Sequence, residues 1–259
     1  MLVLAHVALG PSSVSTSGFD PLASLGGLFA QAGEAQAVIA REIRLPRALV
    51  ALGVGFALGL SGAALQGLLR NPLADPGVLG VSAAAALGAV SMLYFGLAAV
   101  SVWLVPFGAL LGAFAATALL FVIGVRQAEA QTLILVGVGI SSLAGGLIAL
   151  VMNLAPTPFS LSDIVNWSLG SVANRGWTDL IVFGPFALAG CALILLARAG
   201  LSALTLGEET AASLGAPVRR TQALVVIGSA AAVGAATAAA GVIGFVGLVA
   251  PHLVRGLVG

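Results

Sequence analysis

From Pro76 to Val125 the chain carries no charged side chain. Few folds can take up so long an uncharged run. A helix needs about 20 apolar residues to cross the hydrocarbon core of a bilayer, so the run suits two crossings. Their break is predicted near Ala99–Pro106, where Trp103 and Pro106 sit. Gaps between the other charges give further spans over 48–69, 131–155, 180–197 and 221–240, and 241–259 is a short, glycine-rich seventh. These stretches are continuously apolar rather than alternating, which excludes barrel strands. The expectation is an all-α, polytopic membrane protein with about seven transmembrane helices in a single domain, 1–259.

The composition agrees. Charged residues make up 7% of the chain, where about a quarter is usual in a soluble domain. The hydrophobic share of 60% excludes disorder, the single Cys191 excludes a disulfide scaffold, and a net charge of +1 excludes a nucleic-acid partner. All ten basic residues are arginine. A Walker A loop and a Schiff-base enzyme both need a lysine, so any ATP that drives this protein must be hydrolysed on another chain.

The arginines also set an orientation. With the end of the 48–69 span placed inside, Arg70, Arg126, Arg198, Arg219, Arg220 and Arg255 fall on the inner side. Arg41, Arg44, Arg47 and Arg175 fall outside, three of them in one cluster. Tyr94, Trp103, Trp167 and Trp177 then lie near the outer surface, as an aromatic belt requires. The outer cluster sits in REIRLPRALV, where Pro46 suits a helix start. Two readings fit Arg44 and Arg47: anchors that snorkel to headgroups, or a docking site for an acidic partner outside.

Two inner segments are unusual. LLRNPLADPGVLGVS holds the turn and helix-start signals Asn71-Pro72 and Asp75-Pro76-Gly77, then Gly80 and Ser82 at the start of the next helix. It reads as a stiff helix–helix turn. LSALTLGEETAASLGAPVRRTQ reads as a short amphipathic helix that starts at Thr205 or Gly207. Glu208 and Glu209 lie in its first turn, Leu214 near its end, Gly215 at its C-cap, and Pro217 stops it. Lipid and a cytoplasmic protein are both open as its neighbour, although adjacent glutamates do not favour an anionic leaflet.

Of the Asp, Glu and His residues, only His252 falls inside an expected span, and a lone histidine there reads as a packing or hydrogen-bonding residue. No HExxH, acidic pair or nucleophile grouping is present, so neither a catalytic residue nor a metal site is expected. Glycine and alanine runs such as Gly53, Gly55, Gly59 and Gly62 favour close helix–helix approach.

In this order, four segments resemble the permease subunits of type II ATP-binding-cassette importers, which take up iron–siderophores, haem and vitamin B12. They are RLPR at 44–47, SGAALQGLLRNPLADPGVLGVS at 61–82, LGEETAASLGAPVRR at 206–220 and GVIGFVGLVAPHLVR at 241–255. The resemblance implies a ten-helix fold and a multi-pass subunit in the bacterial cytoplasmic (inner) membrane. It also implies a homo- or heterodimer with a substrate pathway between the copies and alternating access driven by a cytoplasmic ATPase dimer. ATP and Mg would be held by that ATPase, with no cofactor on this chain. Arg44 and Arg47 would dock an extracytoplasmic substrate-binding protein, and Thr205, Glu208, Glu209, Leu214 and Gly215 would couple to the ATPase. Ser61, Gly62, Gln66, Asn71, Pro72, Pro76, Gly80, Gly244, Gly247, Pro251, His252 and Arg255 would be motif residues that pack the helices.

The match departs from the family at both ends. Most of the first family helix and the last two are expected to be missing, which reads as a truncated chain. Two alternatives stand beside the importer permease: an ion-coupled secondary transporter or channel acting alone, and a non-functional truncated permease.

Overall fold

The computed structural model describes residues 35–101, 103–125 and 130–258. The expected inner marker Arg126 and the stretch 1–34 lie outside the described residues. Every regular element within them is helical.

A helical turn, Ala35–Val38, runs through a π turn, Ile39–Arg44, into α1, Leu45–Leu69. The π turn has a local cause. Pro46 lacks an N–H and its ring crowds the carbonyl four residues back. The preceding backbone widens to match, and the Leu45 N–H reaches the Ala40 carbonyl. α1 ends at Arg70, held in the left-handed region at φ 48°. The turn that follows is stiff, as its sequence predicts. The Asp75 carboxylate accepts a 2.8 Å hydrogen bond from the Gly77 N–H, capping the 3-10 turn Pro76–Leu79, and Gly80 at φ 74° opens the next helix.

That helix is α2, Val81–Tyr94, followed by α3, Leu104–Leu120. The break between them starts at Phe95, earlier than the expected Ala99–Pro106, and Pro106 itself lies in the first turn of α3. α4, Ala130–Asn153, precedes α5, Pro158–Ser168, then α6, Trp177–Leu196, and α7, Arg198–Leu204. α8, Glu208–Ser213, leads to α9, Val218–Ala240, and α10, Val246–Val258.

Five helices among the described residues are long and apolar enough to cross a membrane: α1 with its π turn, α3, α4, α6 and α9. The other two expected crossings are present as shorter helices. α2 has 14 residues and α10 has 13, roughly 20 Å each against a hydrocarbon core of about 30 Å. α5 is a helix that the charge-gap reading passes over. Its start is marked all the same, because the Thr157 hydroxyl accepts from the Ser160 N–H at 3.1 Å and Pro158 follows at the first helical position.

The bundle is built around α9, which packs against α1, α2, α3 and α6. Its run from Gly228 to Ala240 is buried, and small side chains let its neighbours come to backbone distance. At the α6 crossing, a methyl group on Gly190 would sit 2.5 Å from both the Ala232 nitrogen and the Gly228 oxygen. Between α2 and α3, one on Gly88 would overlap the Gly108 carbonyl. α4 joins the bundle at one edge, where Gly137 abuts the backbone of Val78 and Leu79.

Candidate functional site

The helix directions give the bundle two chemically different ends. Leu93, Trp103, Trp167, Arg175 and Ala238 surround one cavity of about 440 Å³ at the first end. Glu208, Glu209, Arg219 and Arg220 face a groove of about 710 Å³ at the other. Aromatic side chains therefore gather at one end and the paired glutamates and arginines at the opposite one, the separation that the sequence predicts.

At the charged end, α8 is a six-residue helix held between two glycines. Gly207 precedes it at φ 101° and Gly215 follows at φ 80°, a region that only glycine enters without strain. The exit is a Schellman turn: the Gly215 N–H reaches the Ala212 carbonyl and the Ala216 N–H reaches the Ala211 carbonyl, both at 2.9 Å. Ala211 is buried beneath the helix. Glu208 is half-buried, and its carboxylate accepts from Gln222 Nε2 at 3.5 Å, tying α8 to the first turns of α9. Glu209 is exposed, and Leu214, at 69% exposure, stands clear of the protein. Thr205 is exposed and donates to the Ser202 carbonyl at 2.7 Å. The five expected coupling residues thus form one short segment, with Glu209 and Leu214 presented outward.

The motif residues at 61–82 and 241–255 come together. Gly62 lies on the Gly247 backbone with no room for a side chain on either partner, and Gly247 in turn packs against Pro76 and Asp75. Pro76 and Pro251 are buried. Gly80 rests on Gly137 and Ile140. Ser61 is fully buried, and its hydroxyl has no partner among the described residues. Gln66, 3% exposed, accepts a 2.8 Å hydrogen bond from Arg255 Nη2. Asn71 and Pro72 are exposed, and the Asn71 side chain accepts from the Leu73 N–H at 2.9 Å.

Besides Asn71 and Pro72, two further motif residues lie away from the helix contacts. Gly244 lies in the loop before α10, where a methyl group on its Cα would have nothing within 4 Å. His252 is exposed, because α10 lays Gly247 and Pro251 against the bundle and turns His252 and its neighbours away.

The arginines expected to dock a partner lie at the far end of α1. Arg44 is buried, at 5% exposure, and Arg47 is half-buried with its Nε unpaired among the described residues. The fourth outer arginine, Arg175, is bonded locally to Asp179 at 3.4 Å. No grouping of His, Cys, Asp or Glu among the described residues could hold a metal ion.

Long apolar helices joined glycine to backbone, with charge confined to the two ends, define a polytopic membrane bundle. The particular family follows from comparison: the chain belongs to the FecCD transport family, whose pattern matches residues 1–259. It is 43% identical over 222 residues to the uncharacterized ABC transporter permease protein YvrB of Bacillus subtilis, covering 84% of this chain and 62% of that one. It is 39% identical to the hemin transport system permease protein HmuU of Yersinia pestis, over 84% of this chain and 66% of the relative. The fold is similar to a solved metal-chelate type ABC transporter in an inward-facing conformation, with a TM-score of 0.84 and 34% identity, covering 100% of this chain and 78% of that one. The chain spans less than two thirds of the length of these curated relatives.

Proposed function

We propose that this chain is the transmembrane permease subunit of a type II ATP-binding-cassette importer in a bacterial cytoplasmic membrane. It pairs with a second permease subunit and moves its substrate by alternating access. A cytoplasmic ATPase dimer holds ATP and Mg and does the hydrolysis, so this chain is not itself an enzyme. A substrate-binding protein delivers the cargo from outside.

The observation that carries this reading is α8. A six-residue helix hinged by glycines and fixed at one side through Glu208 and Gln222 suits insertion into a partner's cleft better than a lipid surface. Its exposed face carries a carboxylate, Glu209, and an isolated apolar side chain, Leu214. In the assembled transporter, replacing Glu209 by Arg and Leu214 by Glu should prevent recovery of the ATPase with the permease in detergent. Normal co-purification of the double variant would overturn the coupling role.

At the other end, Arg47 is the better test of docking, since Arg44 is buried and its loss confounds docking with folding. Arg47→Glu should weaken binding-protein association, with the loss greatest at low salt. The substrate class is a metal chelate or metal-centred macrocycle. Relatives named for hemin, Fe(3+)-citrate and vitamin B12 import support this reading. One relative is named for molybdate, so an oxyanion belongs in the same uptake panel of labelled candidates.

A further inference from the structure

Three elements meet at the charged end of α1, and one side chain touches all of them. Gln66 sits in the last turn of α1 and is 3% exposed. Its amide nitrogen lies 3.4 Å from the Ala74 carbonyl, in the turn toward α2, and 3.5 Å from the Leu248 carbonyl in α10. Its amide oxygen takes the 2.8 Å bond from Arg255, near the end of α10. A buried amide must have its donors and acceptor satisfied. Here the three partners come from two other segments, the 70–79 turn and α10, the farthest of them 189 positions away in sequence.

The backbone contacts below it are equally close. Gly62 lies on Gly247, Gly247 on Pro76, and a methyl group on Gly59 would sit 3.3 Å from the Ala250 methyl group. Backbone-on-backbone contact resists sliding, and a side chain with three fixed partners resists separation. α8 shares none of these contacts. Its bonded link runs to α9 through Glu208 and Gln222.

We infer that Gln66 is a positioning residue, a clasp that makes α1, the 70–79 turn and α10 one rigid body, separate from the α8 segment. α1 has 25 residues and is about 37 Å long, so the body clasped at one end of the bundle extends to Arg47 at the other. Motion at the Arg47 end is thereby carried to the 70–79 turn and α10 together, and nucleotide-driven motion of α8 is measured against that body. The inference rests on the permease reading only in using nucleotide as the stimulus.

Distances between spin labels test it in the assembled transporter in lipid, with labelled chain diluted by unlabelled chain and Cys191 replaced by Ala. One pair is Leu73→Cys with Leu253→Cys, and the other is Leu73→Cys with Ala212→Cys. With Gln66 present, the 73–253 distance should be narrow and the same with and without ATP and vanadate. The 73–212 distance should shift by about 2 Å or more, the scale of helix shifts in such switches. Gln66→Met keeps the volume and removes all three bonds. It should broaden the 73–253 distribution in nucleotide-free membranes and make it respond to nucleotide. Arg255→Met, on an exposed face and tolerant of change, should do the same to a smaller extent if Gln66→Met fails to fold.

A 73–253 distance that shifts as far as 73–212 in the unmodified protein would overturn the clasp. So would a distribution left narrow by both variants. The nucleotide-free comparison judges the clasp even where no ATPase assembles, so the two failures stay distinct.

Discussion

α9 and α4 are both long enough to cross a bilayer, and α4 is the more apolar of the two, yet they occupy opposite kinds of position. In its most apolar window α9 is 83% buried, while α4 is 11% buried. Hydropathy does not separate them; side-chain size does. Apart from Val233, α9 is alanine, glycine, serine and threonine through its buried half, whereas α4 carries Leu135, Leu143 and Leu150, all exposed. Lipid tails are as apolar as leucine, so burial inside a membrane bundle is decided by how closely backbones can approach. Small residues select the interior, and bulky ones are left on the periphery.

The comparison can be broken most forcefully at its glycines. Gly190→Val puts methyl groups onto the α9 backbone and should abolish recovery of a monodisperse protein in mild detergent. Gly145→Val and Gly146→Val, with nothing within 4 Å, should leave recovery unchanged. Loss at the α4 glycines would mean that a partner covers that face in the membrane.

Next in size are truncations. Val233→Ala, at a side chain 1% exposed, should cost about 1–2 kcal/mol as a cavity opens. Leu143→Ala, at 67% exposure, should stay within about 0.5 kcal/mol. Thermal midpoints of the purified variants measure both.

Cys191 reports on the same α6–α9 contact. It is 6% exposed on α6, so maleimide should label it only as the contact opens, together with unfolding. Rapid labelling of the intact protein would show that the crossing is looser than its glycines imply.

The smallest effects belong to the aromatic end. Asp179→Ala removes the acceptor of the Gly176 N–H, a 2.8 Å bond at the start of α6, and should cost about 1 kcal/mol as a lost cap. Arg175→Gln removes a partly exposed ion pair and an exposed 3.4 Å bond to the Ser171 carbonyl, and should cost no more than about 0.5 kcal/mol.

Much of this arrangement is legible in the sequence. Charge gaps locate α1, α3, α4, α6 and α9, because a charge inside the hydrocarbon is costly and so marks the ends. Gly207, Gly215 and Pro217 locate α8, because positive φ and a missing N–H are local properties of those residues. What the sequence hides is non-local. Nothing near Gln66 announces that its partner is Arg255, and nothing near His252 says that α10 turns it outward. The face a helix presents depends on what packs against it. α5 escapes for a different reason: eleven residues with Asp163 among them fit no membrane-length window, and its Thr157-Pro158 start carries the signal instead.

The glycines at 207 and 215 have one more consequence. Each lets the chain reverse direction without help from a neighbouring side chain, so the turns that bound residues 208–214 are set within the segment, and the Glu208–Gln222 bond is its tie to α9. Such a stretch behaves as a cassette. Under the proposed coupling role, exchanging it for the equivalent segment of a relative, cut at those two glycines, should carry over the relative's ATPase preference and leave the bundle undisturbed.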